Sequence, residues 1–180
     1  MNAIDQERKD YDKRLRNSIG SLVRDQLNAM TPWWFVSFHY RDNHADEQEL
    51  ILDVQDLKKK LRRQIFSSRD KSIKGSGAFP YPRILFFHEQ SHQGTGQFHT
   101  HLILERLPES LNTQEGVETL FKQHIPRKVK ALSKWKSIDV QRINQDLDDY
   151  RCISCYLSKQ SEQSRIVLDP FNSDLLTRTR

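Results

Sequence analysis

The chain has 180 residues, of which 36% are apolar and 29% charged, and carries a net charge of +5. That length supports one domain with a packed core, without disulfides or a structural metal to staple it. No run of about 18 apolar residues occurs and the N-terminus, MNAIDQERKDYDKRLRN, is charged, so neither a membrane span nor a secretion signal is expected, and a polyanionic partner is favoured over a lipid surface.

Residues 1–30 read as a helix with Leu15, Ile19, Leu22, Val23, Leu27 and Met30 on one stripe, ended by Thr31-Pro32. WWFVSFHY (33–40) has the aromatic and β-branched content of a strand, and alternation assigns one set of its aromatics to the core and leaves one or two for a ligand. A polar turn follows at 43–47. Glu49 to Phe66 then carries Leu50, Ile51, Val54, Leu57, Leu61 and Ile65 at helical spacing, with Lys58, Lys59, Lys60, Arg62 and Arg63 as a basic cluster. After a Gly- and Pro-punctuated loop (67–82), ILFFHEQ (84–90) and FHTHLILE (98–105) form a β-hairpin around Gly94. Thr113 to His124 is helical in pattern and stops at Pro126, with a short second helix expected to about Lys134. That stretch holds a second basic cluster, Arg127, Lys128 and Lys130, and both clusters are candidates for tracking a phosphate backbone. WKSIDVQRI (135–143) alternates as a strand, 144–159 reads as a final helix, and the remainder as an irregular tail. Cys152 and Cys155 lie in that helix without a second metal-ligating pair nearby, and are expected to be reduced, packing residues. The order α-β-α-β-β-α-β-α gives an α+β class: an antiparallel sheet of four to five strands, RRM- or ferredoxin-like, backed by helices. The expected division is an N-terminal helical extension (1–31), a central domain (32–165) and a C-terminal tail (166–180).

Three features carry chemistry. In a strand, residues two apart share a face about 6–7 Å apart, so His99 and His101 can meet one cation. With a turn near Gly94, Glu89 lies opposite His99 and adds a carboxylate; a register shifted by one residue puts His88 there instead. Such a mixed nitrogen and oxygen set with open positions suits Mg²⁺ or Mn²⁺. On the last helix Tyr156 and Lys159 are i, i+3 neighbours, which places a phenol beside a cation that stabilises the phenolate or a phosphate.

Taken in order, the WWFVSFHY strand, the His-x-His strand FHTHLILE and the Tyr-x-x-Lys helix YLSK resemble the HUH endonucleases: rolling-circle replication initiators, relaxases and single-strand transposases. The resemblance covers roughly residues 33–160 and is closest to the single-tyrosine replication initiators. One departure is Thr100, where the family's middle residue is usually bulky and hydrophobic. The resemblance implies a single-stranded DNA nicking and joining enzyme. Tyr156 would be the nucleophile that forms a 5′-phosphotyrosine, Lys159 its charge partner, and Glu89, His99 and His101 the metal ligands. It further implies an origin hairpin or nick site as partner, a separate helicase and polymerase, and a cytoplasmic plasmid or phage element of bacteria or archaea as the setting. The alternatives are a transposase or relaxase of the same family, or a non-catalytic RRM-like nucleic-acid-binding domain.

Overall fold

The computed structural model describes residues 3–40, 47–67, 75, 79–91, 98–125, 135–144, 152, 153, 155–157 and 164–176. In chain order the elements are α1 (Ala3–Asn28), β1 (Pro32–Tyr40), α2 (Glu47–Ser67), β2 (Ile84–Ser91), β3 (Phe98–Glu105), α3 (Gln114–Thr119), β4 (Trp135–Arg142) and β5 (Ser164–Leu168). Thr113 caps α3 by accepting from the Gly116 N–H, and Leu120–His124 continue it as a wider π turn before Pro126. Cys152, Ile153, Cys155, Tyr156 and Leu157 are helical.

The five strands form one antiparallel sheet in the order β4-β1-β3-β2-β5. Within it, β1-α2-β2-β3-α3-β4 is the ferredoxin-like split βαβ arrangement. Both crossover helices lie on one face. Trp34, Val36, Phe38 and Tyr40 of β1 pack there with Leu50, Val54, Leu57, Leu61 and Ile65 of α2 and with Val117 and Phe121. The even positions of β1 thus form the core set, and the odd positions Phe35, Ser37 and His39 are left for the other face.

On that second face the cover is partial. Val23, Leu27 and Met30 of α1 pack against Leu85, Phe87 and Ile103, joined by Ile143, Leu157, Ile166 and Leu168. The C-terminal half of α1 therefore belongs to the core rather than to a separate extension. Leu22, expected on its apolar stripe, is exposed. The expected irregular tail is also corrected: Ser164–Leu168 is an edge strand on β2, so a boundary at 165/166 cuts through it. The short helix expected near 126–134 lies outside the described residues.

A buried ionic knot fastens the segment around Asp174 to α1, α2 and β2. Arg83, fully buried, donates to the Ala29 carbonyl, to Oε1 of Gln26 and to the Asp174 carbonyl, at 2.9–3.1 Å. The Asp174 carboxylate accepts from the Ile84 N–H at 3.0 Å, from Lys58 at 2.7 Å and from Arg62 at 2.5 Å. Two of the basic residues proposed for a phosphate track thus face inward, on the helix opposite the histidine face. Lys59 and Arg63 are exposed and Lys60 is partly so, on that same helix.

Removing one partner of such a pair strands the others in a poorly solvated place. Asp174→Ala is expected to lower stability by about 3 kcal/mol in urea unfolding, while Lys59→Ala shifts the midpoint negligibly.

Candidate active site

The pleat of the two central strands assembles the site. On β3, Thr100 and Leu102 face the helices, so His99 and His101 face the partly covered side. Their cross-strand partners on β1 are His39 and Ser37, and on β2 they are Glu89 and Phe87. The expected Glu89–His99 register holds. His88 points the other way: its Nδ1 meets the Thr100 hydroxyl at 3.2 Å and its Nε2 meets Asp169 at 3.1 Å.

Tyr156 comes over this face from the helical residues 155–157, of which Leu157 buries its side chain in the second core. Its hydroxyl donates to Oε2 of Glu89 at 3.0 Å and lies 3.3 Å from Nε2 of His101. That same Nε2 is 3.1 Å from Glu89 Oε2, so a phenol, a carboxylate and an imidazole converge on one point. His101 is 2% exposed, and its Nδ1 lies 2.9 Å from the Ser37 hydroxyl. When Nδ1–H donates to Ser37, the Nε2 lone pair is left facing Glu89 and Tyr156 as a ligand or base. Phe35 stacks on the His101 ring, with centroids 5.3 Å apart and planes 15° apart, and meets Tyr156 edge-on. His101 is therefore fixed at both ends and on one side. Beside it, a cleft of about 490 Å³ is bounded by Phe35, His39, His99, His101 and Tyr156, and on β4 by Asp139, Gln141 and Arg142.

Thr100, between the two histidines of the strand, has a structural reason to be hydroxylated. Fully buried between the two histidines on the opposite face, its hydroxyl joins Tyr40 at 2.9 Å to His88. A bulky apolar residue would leave both of those buried groups without this bond.

The electrostatics favour neutral groups. Burial, then the His101 ring, holds the His39 pKa below its ordinary 6.5, and burial, then His39, does the same for His99. Uncharged imidazoles keep a lone pair for a Lewis acid. Burial first, and then the Glu89 carboxylate, raises the Tyr156 phenol well above 10.0, so in this arrangement Tyr156 is a proton donor.

Whether the residues fit a divalent cation is answered by their spacing. Two ligands at right angles on a cation with bonds of about 2.1 Å lie about 3 Å apart, and Glu89 Oε2 and His101 Nε2 are 3.1 Å apart. His99 shares their face, but its ring lies edge-on to His39 with centroids 4.4 Å apart. Among the described residues no three His, Cys, Asp or Glu side chains are already gathered as a ligand set. Two donors are in place, and the third requires the His99 ring to turn.

Of the sequence-predicted residues, Glu89, His99, His101 and Tyr156 come together. Lys159, Arg127, Lys128 and Lys130 lie outside the described residues. The cysteines differ from expectation: Cys152 and Cys155 are both exposed and in no disulfide, and Cys152 borders the cleft instead of packing in the core. Exposure follows from the helix sitting at the rim, with Leu157 as its buried anchor. His39 and Ser37 were missed. Their signal is the polar, odd-numbered set of a strand whose even positions are all large and apolar. No protein-family model, curated protein or solved structure matches the chain. No helix among the described residues is long and apolar enough to cross a membrane.

The Tyr156–Glu89 contact has a measurable sign. Glu89→Gln removes the carboxylate's two contributions but not burial, so the Tyr156 phenol is expected to fall part of the way back toward 10.0. Ultraviolet difference titration of Glu89→Gln against Glu89→Gln/Tyr156→Phe reads this; an unchanged phenol would remove Glu89 as its partner. A phenol raised by folding stabilises the folded state fully below pH 10.0 and loses that contribution as pH climbs through its folded value.

Proposed function

We propose that the chain is a single-stranded DNA nicking and joining endonuclease of the HUH kind, with Tyr156 as nucleophile. The observation that carries this reading is the convergence of the Tyr156 hydroxyl on Glu89 and His101, at 3.0 and 3.3 Å, on the open face of a ferredoxin-like sheet. A lone strand histidine or a lone helical tyrosine is ordinary. A phenol hydrogen-bonded to both a carboxylate and an imidazole, beside a cleft large enough for a nucleotide, is a nucleophile with its proton acceptors in reach.

The residues have separable tasks. Tyr156 attacks the scissile phosphorus; the P–O3′ bond breaks, a 5′-phosphotyrosine forms, and the strand is released with a free 3′-OH. The phenol proton leaves along the hydrogen bond to Glu89, and the departing 3′ oxygen gains a proton. Ser37 and Phe35 hold the His101 ring in its plane, so the acceptor is oriented before substrate arrives. Glu89, His101 and His99 are the residues that would hold Mg²⁺ or Mn²⁺, which supplies Lewis acidity to the phosphate oxygens. The phosphodiester energy is kept in the tyrosyl ester, so attack by a 3′-OH rejoins the strand without ATP. A replication initiator for a plasmid or phage element, working with a separate helicase and polymerase on an origin hairpin, is the role that suits a nick left with a 3′-OH primer.

Tyr156→Phe is expected to abolish the covalent adduct with a single-stranded oligonucleotide on a denaturing gel while leaving binding within about twofold. Binding with no adduct in the unaltered chain would favour the non-catalytic reading instead. In a second test, EDTA is expected to stop nicking and Mn²⁺ to restore it; undiminished nicking in chelator would remove the histidines from that role.

A further inference from the structure

A second feature lies beyond the catalytic group, at the start of β1. Trp33 is the only tryptophan of the chain left partly exposed; Trp34 and Trp135 are 0% and 5% exposed. Two guanidiniums lie over its ring, with the Arg142 carbon 5.0 Å and the Arg106 carbon 5.3 Å from the centroid. They come from opposite sides: Arg142 ends β4 and Arg106 follows β3, the two strands that flank β1. Both arginines are exposed, and Arg106 pairs with Glu109, whereas among the described residues Arg142 has no carboxylate partner. Two cations that share one ring repel each other, and a single carboxylate offsets half of that charge. An anion between them relieves the rest.

The position matters as much as the chemistry. Arg142 also borders the cleft that holds His99, His101 and Tyr156. From His39 to Trp33 the chain runs six residues along β1, about 20 Å at strand rise. Trp33 sits where the register shifts between Pro32 and Trp34 and packs against the helix-side core, so Arg142 is the residue that links it to the cleft.

We propose that Trp33, Arg106 and Arg142 form a nucleotide-binding platform at the end of the cleft, which grips the single strand a few nucleotides from the phosphate at Tyr156. The base stacks on the indole–guanidinium plane, and Arg142 donates to the phosphate, a division of labour typical of sites that take unpaired strands without reading their sequence. The inference rests on the nuclease reading for its substrate, and it adds where the strand is held.

Because the other two tryptophans are buried, quenching of tryptophan emission by an oligothymidylate reports on Trp33. The full chain is expected to show that quench and Trp33→Phe to lose most of it. Arg142→Ala, an exposed change that thermal melting should show to be folded, is expected to bind about tenfold more weakly. Its log affinity against log salt is expected to flatten by about 0.7, one phosphate contact fewer. Unaltered affinity and salt slope in both Trp33→Ala and Arg142→Ala, with the Tyr156 adduct still forming, would overturn the platform and leave the nuclease reading standing. No oligothymidylate binding and no adduct in the unaltered chain would overturn both.

Discussion

Strand β3 is bonded to a neighbour on each edge, fully covered on its helix side and partly covered on the other, which leaves its pleat little freedom. A slip of one residue would drive His99 and His101 into the helix-side core and turn Thr100 and Leu102 toward the cleft, so the packing of two apolar layers fixes which side chains meet. The positions of Glu89, His39 and Ser37 follow from the same pleat read across to β2 and β1. Tyr156 is the one member of the group that does not belong to the sheet, and Leu157, buried beside it, ties its segment down. The hydroxyl-bonded chain from Tyr40 through Thr100 and His88 to Asp169 runs directly behind the histidines and stiffens the strand that carries them.

Charge is divided between folding and recognition in a way that net charge does not reveal. Asp174 and Arg83 draw the C-terminal segment, α1, α2 and β2 together, and the lysine and arginine of α2 engaged there are lost to any ligand. The cation at the cleft is instead Arg142, at the end of β4, where it shares the Trp33 indole with Arg106. An excess of five positive charges is therefore compatible with a local, oriented anion site and does not require a broad basic surface.

Much of this was legible in the sequence, for identifiable reasons. Period-two alternation gave β1 its two faces, and the hairpin length gave the Glu89–His99 register, because both depend on local geometry. What depended on distant partners was not legible. Lys58 and Arg62 look like a solvated face until Asp174, more than 110 residues later, is seen beneath them. SRIVL is too short to declare itself a strand without the open edge of β2 beside it. His39 was hidden by its aromatic neighbours, although its place in the polar set of β1 marks it in hindsight. Cys152 and Cys155 are expected to pack because no second metal-ligating pair accompanies them, and the rim position of their helix, which only tertiary structure sets, exposes them.

In the proposed reaction the Tyr156 oxygen is the atom that takes the phosphate. Peptide mass mapping of the unaltered chain, after incubation with a single-stranded oligonucleotide and Mn²⁺ and then nuclease trimming, tests this directly. A nucleotide mass is expected on the peptide holding Tyr156, localised by fragmentation to that residue. A nucleotide on any other residue, or cleaved DNA with no modified peptide at any time point, would contradict it.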